Sequence, residues 1–502
     1  MMNQAQLGQL KTRLARIADL NGSASVLGWD QETMMPEGGV QARADQMSTL
    51  GGLAHEYFVD EEVGQLLEDL AGQSAEADFE TDDASLVRVK RREYEKQVRV
   101  PTELVMELLS VSAVATEAWK KARTDHNFSI FQPHLEKIMD IQRRIADALG
   151  YEGNNPYDAL LDSFEPGTTY ENISAVFSQV RGPVVELIKT ITERGKPVDE
   201  TILAGDYPAD KQLAFSRQVA EALGYDFEHG RLDLSAHPFT TSFAYSDVRL
   251  TTRVKPHDLV TCLMGVIHEA GHGMHGQGLS PQLYRTTIEQ TGLATAESQS
   301  RFYENMVGRS RAFWTYWYPR LQETFPNFKP VAFEDFYRAL NQVKPGLIRV
   351  EADEVTYGLH IMLRFELEND ILNNRVQVKD LPREWNDRME ALLGVRPPND
   401  SDGVLQDIHW SGGGVGYFPD YWLGSIFAAQ LWEQIVKERP STEKDIAAGE
   451  YKGTLGWLRE KIHTHGNKFT FPELVKRVTG GPLRWEPYVN YLQKKYGAIY
   501  GL

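Results

Sequence analysis

Residues 256–278 have the sequence PHDLVTCLMGVIHEAGHGMHGQG, which contains the pattern H-E-x-x-H at His268 and His272. Two histidines four residues apart on a helix project from one face, so both imidazoles are free to bind one metal ion. Glu269 lies about a quarter-turn away, where it can reach a water molecule beside the metal without being a ligand. The stretch therefore predicts a catalytic metal helix, around which we expect the rest of the chain to be organised.

Apolar residues recur at helical spacing along the same stretch, and their stripe lies roughly opposite the two histidines. They are Leu259, Leu263, Val266, Ile267 and Ala270. This pattern predicts that one helix face is buried in a core while the other presents the imidazoles. The alternative is a core helix whose histidines are only hydrogen-bonded. Cys262 lies on this helix and is interpreted as a small core residue, not a ligand.

A catalytic zinc site needs a third protein ligand and one open coordination position. Downstream of the helix, the sequence offers Glu289, Glu297 and Glu304. Glu297 lies in a helical segment entered after a glycine, and spacing alone favours it only modestly over Glu289. His275 lies near the same helical face as His272. We predict that it lines the pocket or supports a ligand, because a fourth protein ligand would close the site.

Composition restricts the class of protein. The chain has 502 residues, of which 41% are hydrophobic and 25% charged, as in ordinary soluble globular proteins. The formal net charge of -18 argues against binding nucleic acid or an anionic membrane, because both would be repelled. There is no apolar run of membrane-span or signal-peptide length. One cysteine allows no intrachain disulfide, which fits a reducing compartment. We therefore expect a soluble, cytoplasmic protein.

Helical patterning dominates the chain, with breaks at glycines and prolines. The exception directly precedes the metal helix, where Val248, Leu250 and Val254 alternate with polar residues as in a strand. Such a strand either pairs with an extended peptide or forms a structural hairpin, and the pattern leaves both open. The charged segment 87–98 is interpreted as a solvated helix face.

The predicted organisation is a single 502-residue unit. We expect a mostly helical N-terminal lobe, a catalytic core that holds the metal site, and a set of C-terminal helices. The predicted ranges are approximately 1–225, 226–425 and 426–502.

Four further clusters flank the metal helix, and together with it they have a distinctive order. They are HPF at 237–239, DVRLT at 247–251, IRVEAD at 348–353 and GVLQDIHW at 403–410. This sequence resembles the carboxypeptidase Taq family of zinc metallocarboxypeptidases, which is marked by HPF, DXRXT, HEXXH, HES, IRXXAD and GXXQDXHW in this order. The segment from Gly28 to Pro36 also resembles the family, so the likeness covers nearly the whole chain. The departure is Ala296, which stands where the family has the histidine of HES.

The resemblance implies a mainly α, two-lobed fold with a long substrate groove, similar to neurolysin and angiotensin-converting enzyme. It also implies a small β-sheet beside the zinc helix. The implied activity is metal-dependent release of single amino acids from the C-termini of peptides, usually by a homodimer. The implied ligands are His268, His272 and Glu297. They would hold one divalent ion, with zinc as the expected metal, although two imidazoles and a carboxylate also accept cobalt or manganese.

The resemblance and the chemistry together suggest roles for other side chains. Glu269 is the expected general base. Tyr417 and Tyr421 are candidates to donate a hydrogen bond to the oxyanion of the tetrahedral intermediate. The substrate carboxylate calls for an arginine, because a guanidinium makes two parallel charge-assisted hydrogen bonds. Arg349 is the leading candidate, with Asp353 to orient it. Arg249 is the second candidate, although it also fits pairing with Asp247. The other candidate substrate contacts, along the groove, are His237, Gln406 and His409.

Two other functions are compatible with the same residues. One is an oligoendopeptidase on a similar helical scaffold, which would be indifferent to amidation of a peptide's C-terminus. The other is a non-catalytic peptide-binding protein with a structural metal site. The presence of Glu269 argues against the latter, because a structural site needs no base.

Overall fold

The computed structural model describes residues 2–289 and 291–502. Helices form most of the first half of the chain, and several of them begin at capping side chains such as Asn3, Thr81 and Thr169. They are α1 Gln4–Thr33, α2 Val40–Phe58, α3 Glu61–Ala75, α4 Asp82–Arg99, α5 Thr102–Thr124, α6 Gln132–Leu149, α7 Pro156–Phe164, α8 Tyr170–Arg194 and α9 Ala209–Leu223.

A three-stranded sheet follows, made of β1 Gly230–Leu234, β2 Thr240–Ala244 and β3 Asp247–Thr252. The strand order is β1-β3-β2, with β1 parallel and β2 antiparallel to β3. Val248 and Leu250 of the central strand are fully buried. The alternating pattern in the sequence thus correctly located the sheet.

The second half of the chain returns to helices. They are α10 Leu259–Gln277, α11 Leu293–Arg301, α12 Arg311–Thr324, α13 Phe333–Leu340, α14 Tyr357–Leu372, α15 Leu381–Leu393, α16 Pro419–Glu438, α17 Thr442–Ala447, α18 Lys452–Lys461, α19 Phe471–Thr479 and α20 Glu486–Tyr500. A π-helical segment, Phe302–Gly308, directly continues α11. Among the described residues, no helix is both long and apolar enough to cross a membrane. The prediction of a mainly helical fold with a small sheet beside the metal helix is confirmed.

Two apolar clusters form the interior. The larger one takes in residues from α5 to α20, and the smaller one joins α1 to α4 with Leu283 and Ile288. The apolar stripe predicted on the metal helix α10 is buried within the larger cluster, as is Cys262. The lobe boundaries predicted from the sequence stay a prediction.

Glycines allow α10, α11 and α16 to approach one another closely. A Cβ added at Gly271 of α10 would lie 2.7 Å from the Gln299 carbonyl oxygen, and one at Gly424 of α16 would lie 2.8 Å from Cβ of Glu297. Helix α11 is therefore clamped between its two neighbours. Because Glu297 is at the contact, the clamp fixes the position of its side chain.

We expect Gly424→Ala to lower the free energy of unfolding by about 1–3 kcal/mol, because the added methyl group overpacks the contact with Glu297. Chemical denaturation of the metal-free protein measures this change. The matched control is Gly456→Ala on α18, where a Cβ would meet open space. That control should leave stability unchanged or raise it by up to about 1 kcal/mol, since alanine favours helix. Equal effects at the two sites would contradict the proposed clamp.

Candidate metal centre and cleft

His268, His272 and Glu297 converge on one point. Each offers one ligand atom, and these atoms all lie within 4.8 Å of one another. Oε2 of Glu297 is 3.7 Å from Nε2 of His268 and 3.5 Å from Nε2 of His272. Ligand atoms about 2.1 Å from a tetrahedral zinc would be separated by about 3.4 Å. The donor set and spacing therefore fit a divalent metal, and the described residues contain no other such cluster.

A ring of buried charges orients these ligands. Nδ1 of His268 lies 2.9 Å from Oε2 of Glu304, which leaves Nε2 directed at the centre. Arg301 donates from Nε to Oε1 of Glu297 at 2.7 Å and from Nη1 to Glu304 at 2.9 Å. Burial alone would raise the pKa of both carboxyls. The charges of Arg301 and His268 outweigh burial, so that the pKa of Glu304 falls to about 2 and that of Glu297 is also lowered.

Glu269 is held in place by the sheet. Oγ1 of Thr240, the first residue of β2, donates to Oε2 of Glu269 at 2.7 Å and lies 3.0 Å from its backbone oxygen. Glu269 is not one of the three clustered metal-ligand candidates. This arrangement leaves the other carboxylate oxygen of Glu269 available to a substrate or water in the cleft.

These residues open into a cleft of about 1170 Å³. Its walls come from α1, α2, α4, the end of α7, β2, α10, the connection from α10 to α11, the first turns of α11, and the start of α16. All five residues of β2 line it. A cavity of this size accommodates a small peptide, and the metal ligands face it.

Tyr417 and Tyr421 line the same cleft, with their hydroxyl oxygens 3.5 Å apart. Burial raises the pKa of Tyr417, and the negative charge of Glu297 also contributes to this rise. The ring of Tyr421 also packs near Tyr357 and Arg349.

The glycine-rich turn before these tyrosines is fixed by a buried carboxyl. Glu368 accepts hydrogen bonds from the hydroxyl of Tyr157 at 2.6 Å, from Nε1 of Trp410 at 2.7 Å and from the backbone N–H of Gly416 at 3.0 Å. Gly416 has a φ of 96°, a conformation that favours glycine. Tyr417, the next residue, is thereby held at the cleft.

Arg349 lies outside the cleft lining, with only 5% of its surface exposed. Its Nε and Nη2 donate to Oδ1 of Asp407 at 3.1 and 2.9 Å, and its backbone N–H donates to Oε1 of Gln406 at 2.9 Å. Arg364 binds the same Asp407 and Gln406. The IRVEAD and GVLQDIHW segments therefore bind each other, and Gln406 is a structural part of their contact.

Asp353 and His409 are likewise not among the residues that line the cleft. The carboxylate of Asp353 accepts hydrogen bonds from the backbone N–H groups of Lys344 and Thr356, so Asp407 is the acid that contacts Arg349. His409 packs against the rings of Tyr417 and Phe418. Burial lowers the pKa of His409 to about 4.

Of the two predicted residues that precede the metal helix, Arg249 lies in β3 and His237 lies in the connection between β1 and β2. Arg249 forms a two-point ion pair with Asp247 and lies over the ring of Trp29, which attaches α1 to the sheet. His237 is exposed and is not among the cleft-lining residues.

The structure also locates His275 and Ala296, two residues whose roles the sequence left open. His275 lines the cleft wall and stacks near His463, with ring centroids 4.9 Å apart. Burial lowers the pKa of His275 to about 3, so it is neutral at physiological pH. Ala296 also lines the cleft, one residue before Glu297, so the methyl group faces the space where the family carries an imidazole.

Several residues that shape the metal site and the cleft were not predicted from the sequence. Arg301 and Glu304 follow Glu297 at spacings of four and seven, a helical periodicity that points toward one face. Thr240 had no local signal, because its contact with Glu269 depends on how the sheet packs. Lys90, Arg92 and Lys96 of α4 also line the cleft, so segment 87–98 is more than a solvated face.

Comparisons with known proteins match nearly the whole chain to one family. The family model described as carboxypeptidase Taq (M32) metallopeptidase matches residues 9–496. Carboxypeptidase 1 of Bacillus subtilis is 36% identical over 97% of both chains, and thermostable carboxypeptidase 1 of Thermus thermophilus is 38% identical over 98% of both. The solved M32 carboxypeptidase of Deinococcus radiodurans superposes with a TM-score of 0.95 at 38% identity, covering 99% of this chain and 100% of that one.

We expect Glu304→Gln to weaken zinc binding about 10- to 100-fold, the usual cost of losing a carboxylate behind a ligating histidine. Competition with a chromophoric chelator measures the affinity directly. Glu334→Gln is the matched control, because Glu334 pairs with Arg311 on the exposed surface. If Glu304→Gln bound zinc as tightly as the parent protein, Glu304 would have no effect on metal affinity.

Proposed function

Because the chain belongs to the carboxypeptidase Taq family of metallopeptidases, it is a metallocarboxypeptidase, and we propose that His268, His272 and Glu297 hold its catalytic metal. The observation that carries this proposal is the convergence of the three ligand atoms within 4.8 Å. When bound, the ion supplies Lewis acidity, which lowers the pKa of water and polarises the scissile carbonyl. Zinc suits two imidazoles and a carboxylate, and cobalt or manganese fits the same donors.

Glu269 is proposed as the general base. Its buried carboxylate is kept in one orientation by Thr240 and lies on the same helix as the two histidines. It takes a proton from the attacking water and then delivers it to the departing amine. A single carboxylate therefore serves both halves of the hydrolysis.

Tyr417 is proposed as the donor to the oxyanion. Both tyrosines line the cleft, and Tyr417 directly follows Gly416, whose N–H is bound by the buried Glu368. The hydroxyl of Tyr421 donates to that of Tyr417, which leaves the Tyr417 proton free to point at developing negative charge. Tyr421 is thus proposed to orient its neighbour.

Strand β2 is proposed to hold the peptide backbone. It is an edge strand of the sheet, and all five of its residues line the cleft. An extended peptide beside it gains main-chain hydrogen bonds by β-augmentation. Because Thr240 of the same strand holds Glu269, substrate and base would share one support.

The setting proposed for the enzyme is a cytoplasmic homodimer that acts on peptides with a free C-terminus. One cysteine and a strongly negative charge suit a reducing compartment without nucleic-acid or membrane partners. Family membership favours this enzyme over the oligoendopeptidase and over the non-catalytic binding protein. The carboxylate-binding roles of Arg349 and Arg249 stay predictions. The same holds for His237, Gln406 and His409 as substrate contacts along the groove and for Asp353 as the residue that orients Arg349.

We expect Glu269→Gln to lower kcat about 10²- to 10⁴-fold with zinc content unchanged, because the base is lost while the ligands remain. Stepwise release of residues from an unblocked peptide, followed by mass spectrometry, gives the rate. Metal analysis of the same sample is the control. Substantial turnover in the zinc-loaded variant would rule out Glu269 as the base.

Tyr417→Phe should lower kcat about 10²- to 10³-fold with little change in KM, as expected for a donor that acts in the transition state. Tyr421→Phe is the matched comparison, and it should cost about tenfold or less because the donor itself is retained. Steady-state kinetics on one peptide distinguishes the two. A larger loss at Tyr421 would reverse the assignment.

A further inference from the structure

The π-helical segment that follows α11 redirects one backbone hydrogen bond. In an α-helix the N–H of Arg309 would donate to the carbonyl oxygen of Asn305, four residues before it. Here it donates instead to the carbonyl oxygen of Glu304, five residues before it, at 2.9 Å. The next N–H, that of Ser310, donates to the carbonyl oxygen of Val307 at 2.9 Å. The π-turn therefore deprives the Asn305 carbonyl of its usual helical partner.

Helix α20 supplies a substitute for that partner. The hydroxyl of Tyr491 donates to the carbonyl oxygen of Asn305 at 3.0 Å. Asn305 is only 6% exposed, so its carbonyl has little access to water and would be costly to leave without a donor. An α-helical turn at this point would satisfy the same carbonyl from the N–H of Arg309. Tyr491 thus compensates for a backbone bond that the π-turn gives up.

A buried lysine orients this hydroxyl. Nζ of Lys495 donates to the Tyr491 oxygen at 3.0 Å and to Oε2 of Glu354 at 2.6 Å. The hydroxyl of Tyr496 donates to the same Glu354 oxygen at 2.7 Å. Because an ammonium group only donates, the Tyr491 oxygen accepts from Lys495 and directs its own proton toward Asn305. The network thus fixes the direction of the hydrogen bond that Tyr491 donates.

The π-turn matters to the metal centre because Glu304 lies in it. Oε2 of Glu304 is 2.9 Å from Nδ1 of His268 and accepts a hydrogen bond from Arg301 at 2.9 Å. If the turn relaxed to an α-helix, the N–H of Arg309 would move to the carbonyl oxygen of Asn305, and Glu304 would rotate about the helix axis. The imidazole of His268 would then lose the carboxylate that orients it.

We propose that Tyr491 is a positioning residue for the metal centre, because its hydroxyl stabilises the π-turn that places Glu304 behind the ligand His268. Lys495 assists by fixing the direction of that hydroxyl. The inference rests on the proposed metal centre and extends its support to a helix residue 186 positions downstream of Asn305. The alternative is that Tyr491 only stabilises the fold, in which case its loss would leave metal affinity unchanged.

The test measures the zinc affinity of the full-length protein by competition with a chromophoric chelator. We expect Tyr491→Phe to weaken zinc binding about 3- to 30-fold, a smaller loss than removal of the Glu304 carboxylate itself would cause. The visible absorption of the cobalt-loaded protein should shift as well, because it reports the arrangement of the ligands. Unchanged zinc affinity in the folded variant would overturn the inference.

Tyr500→Phe is the matched control. Tyr500 is also on α20, and its hydroxyl accepts a buried hydrogen bond from the N–H of Val343, outside the π-turn, at 2.7 Å. Each variant leaves one buried backbone group without its partner, so both should lower the thermal unfolding temperature of the metal-free protein by similar amounts. Zinc binding should weaken in Tyr491→Phe alone. Equal weakening in both variants would assign the effect to general stability and overturn the inference.

A double variant tests whether Tyr491 acts through Glu304. Glu304→Ala removes the side chain whose position Tyr491 is proposed to control. Adding Tyr491→Phe to Glu304→Ala should therefore weaken zinc binding no further. Losses that add would overturn the inference, because Tyr491 would then influence the metal by another route.

The parent protein separates this inference from the proposed function. One zinc ion bound per chain, together with release of single residues from an unblocked peptide, supports the proposed function whatever the variants do. A parent protein that bound no zinc would overturn the proposed metal centre and this inference together. A parent that bound zinc, with the same affinity retained in Tyr491→Phe, would overturn the inference alone.

Discussion

The site depends on a closed ring of buried charges. Glu297 contacts Arg301, Arg301 contacts Glu304, and Glu304 contacts His268, which faces Glu297 across the metal position. Isolated charges are costly to bury, whereas members of a paired network stabilise one another. Each member therefore has only one favourable orientation. The ring places two negative charges and one positive charge around a position suited to a divalent cation.

The fold can be understood as the support for that ring. Helix α11 carries Glu297 and Arg301, and glycines of α10 and α16 let both neighbouring helices contact it at backbone distance. The π-helical segment after Arg301 sets the register of Glu304, and such segments often occur at functional sites. The sheet contributes from the other side, because Thr240 holds Glu269. Three separate parts of the chain thus fix one centre.

The features predicted best from the sequence are those that depend on local periodicity. Helical spacing found His268, Glu269 and His272 together with the buried stripe behind them, and alternation found the sheet. Contacts between distant segments were harder to predict. Arg349 matched a family motif, yet a motif cannot say whether its arginine faces a groove or another segment. In the structure that arginine meets Asp407, fifty-eight residues downstream.

Burial limits what Arg349 can bind in a way that its residue type does not reveal. Removing one partner from a buried ion pair typically costs about 3–5 kcal/mol, so a carboxylate that displaced Asp407 would have to recover that amount. Asp407 also accepts a hydrogen bond from Nε of Arg364, so its loss from the pair with Arg349 would disturb a second buried guanidinium. The arginine of the IRVEAD segment therefore has a structural task, which is to hold that segment against GVLQDIHW.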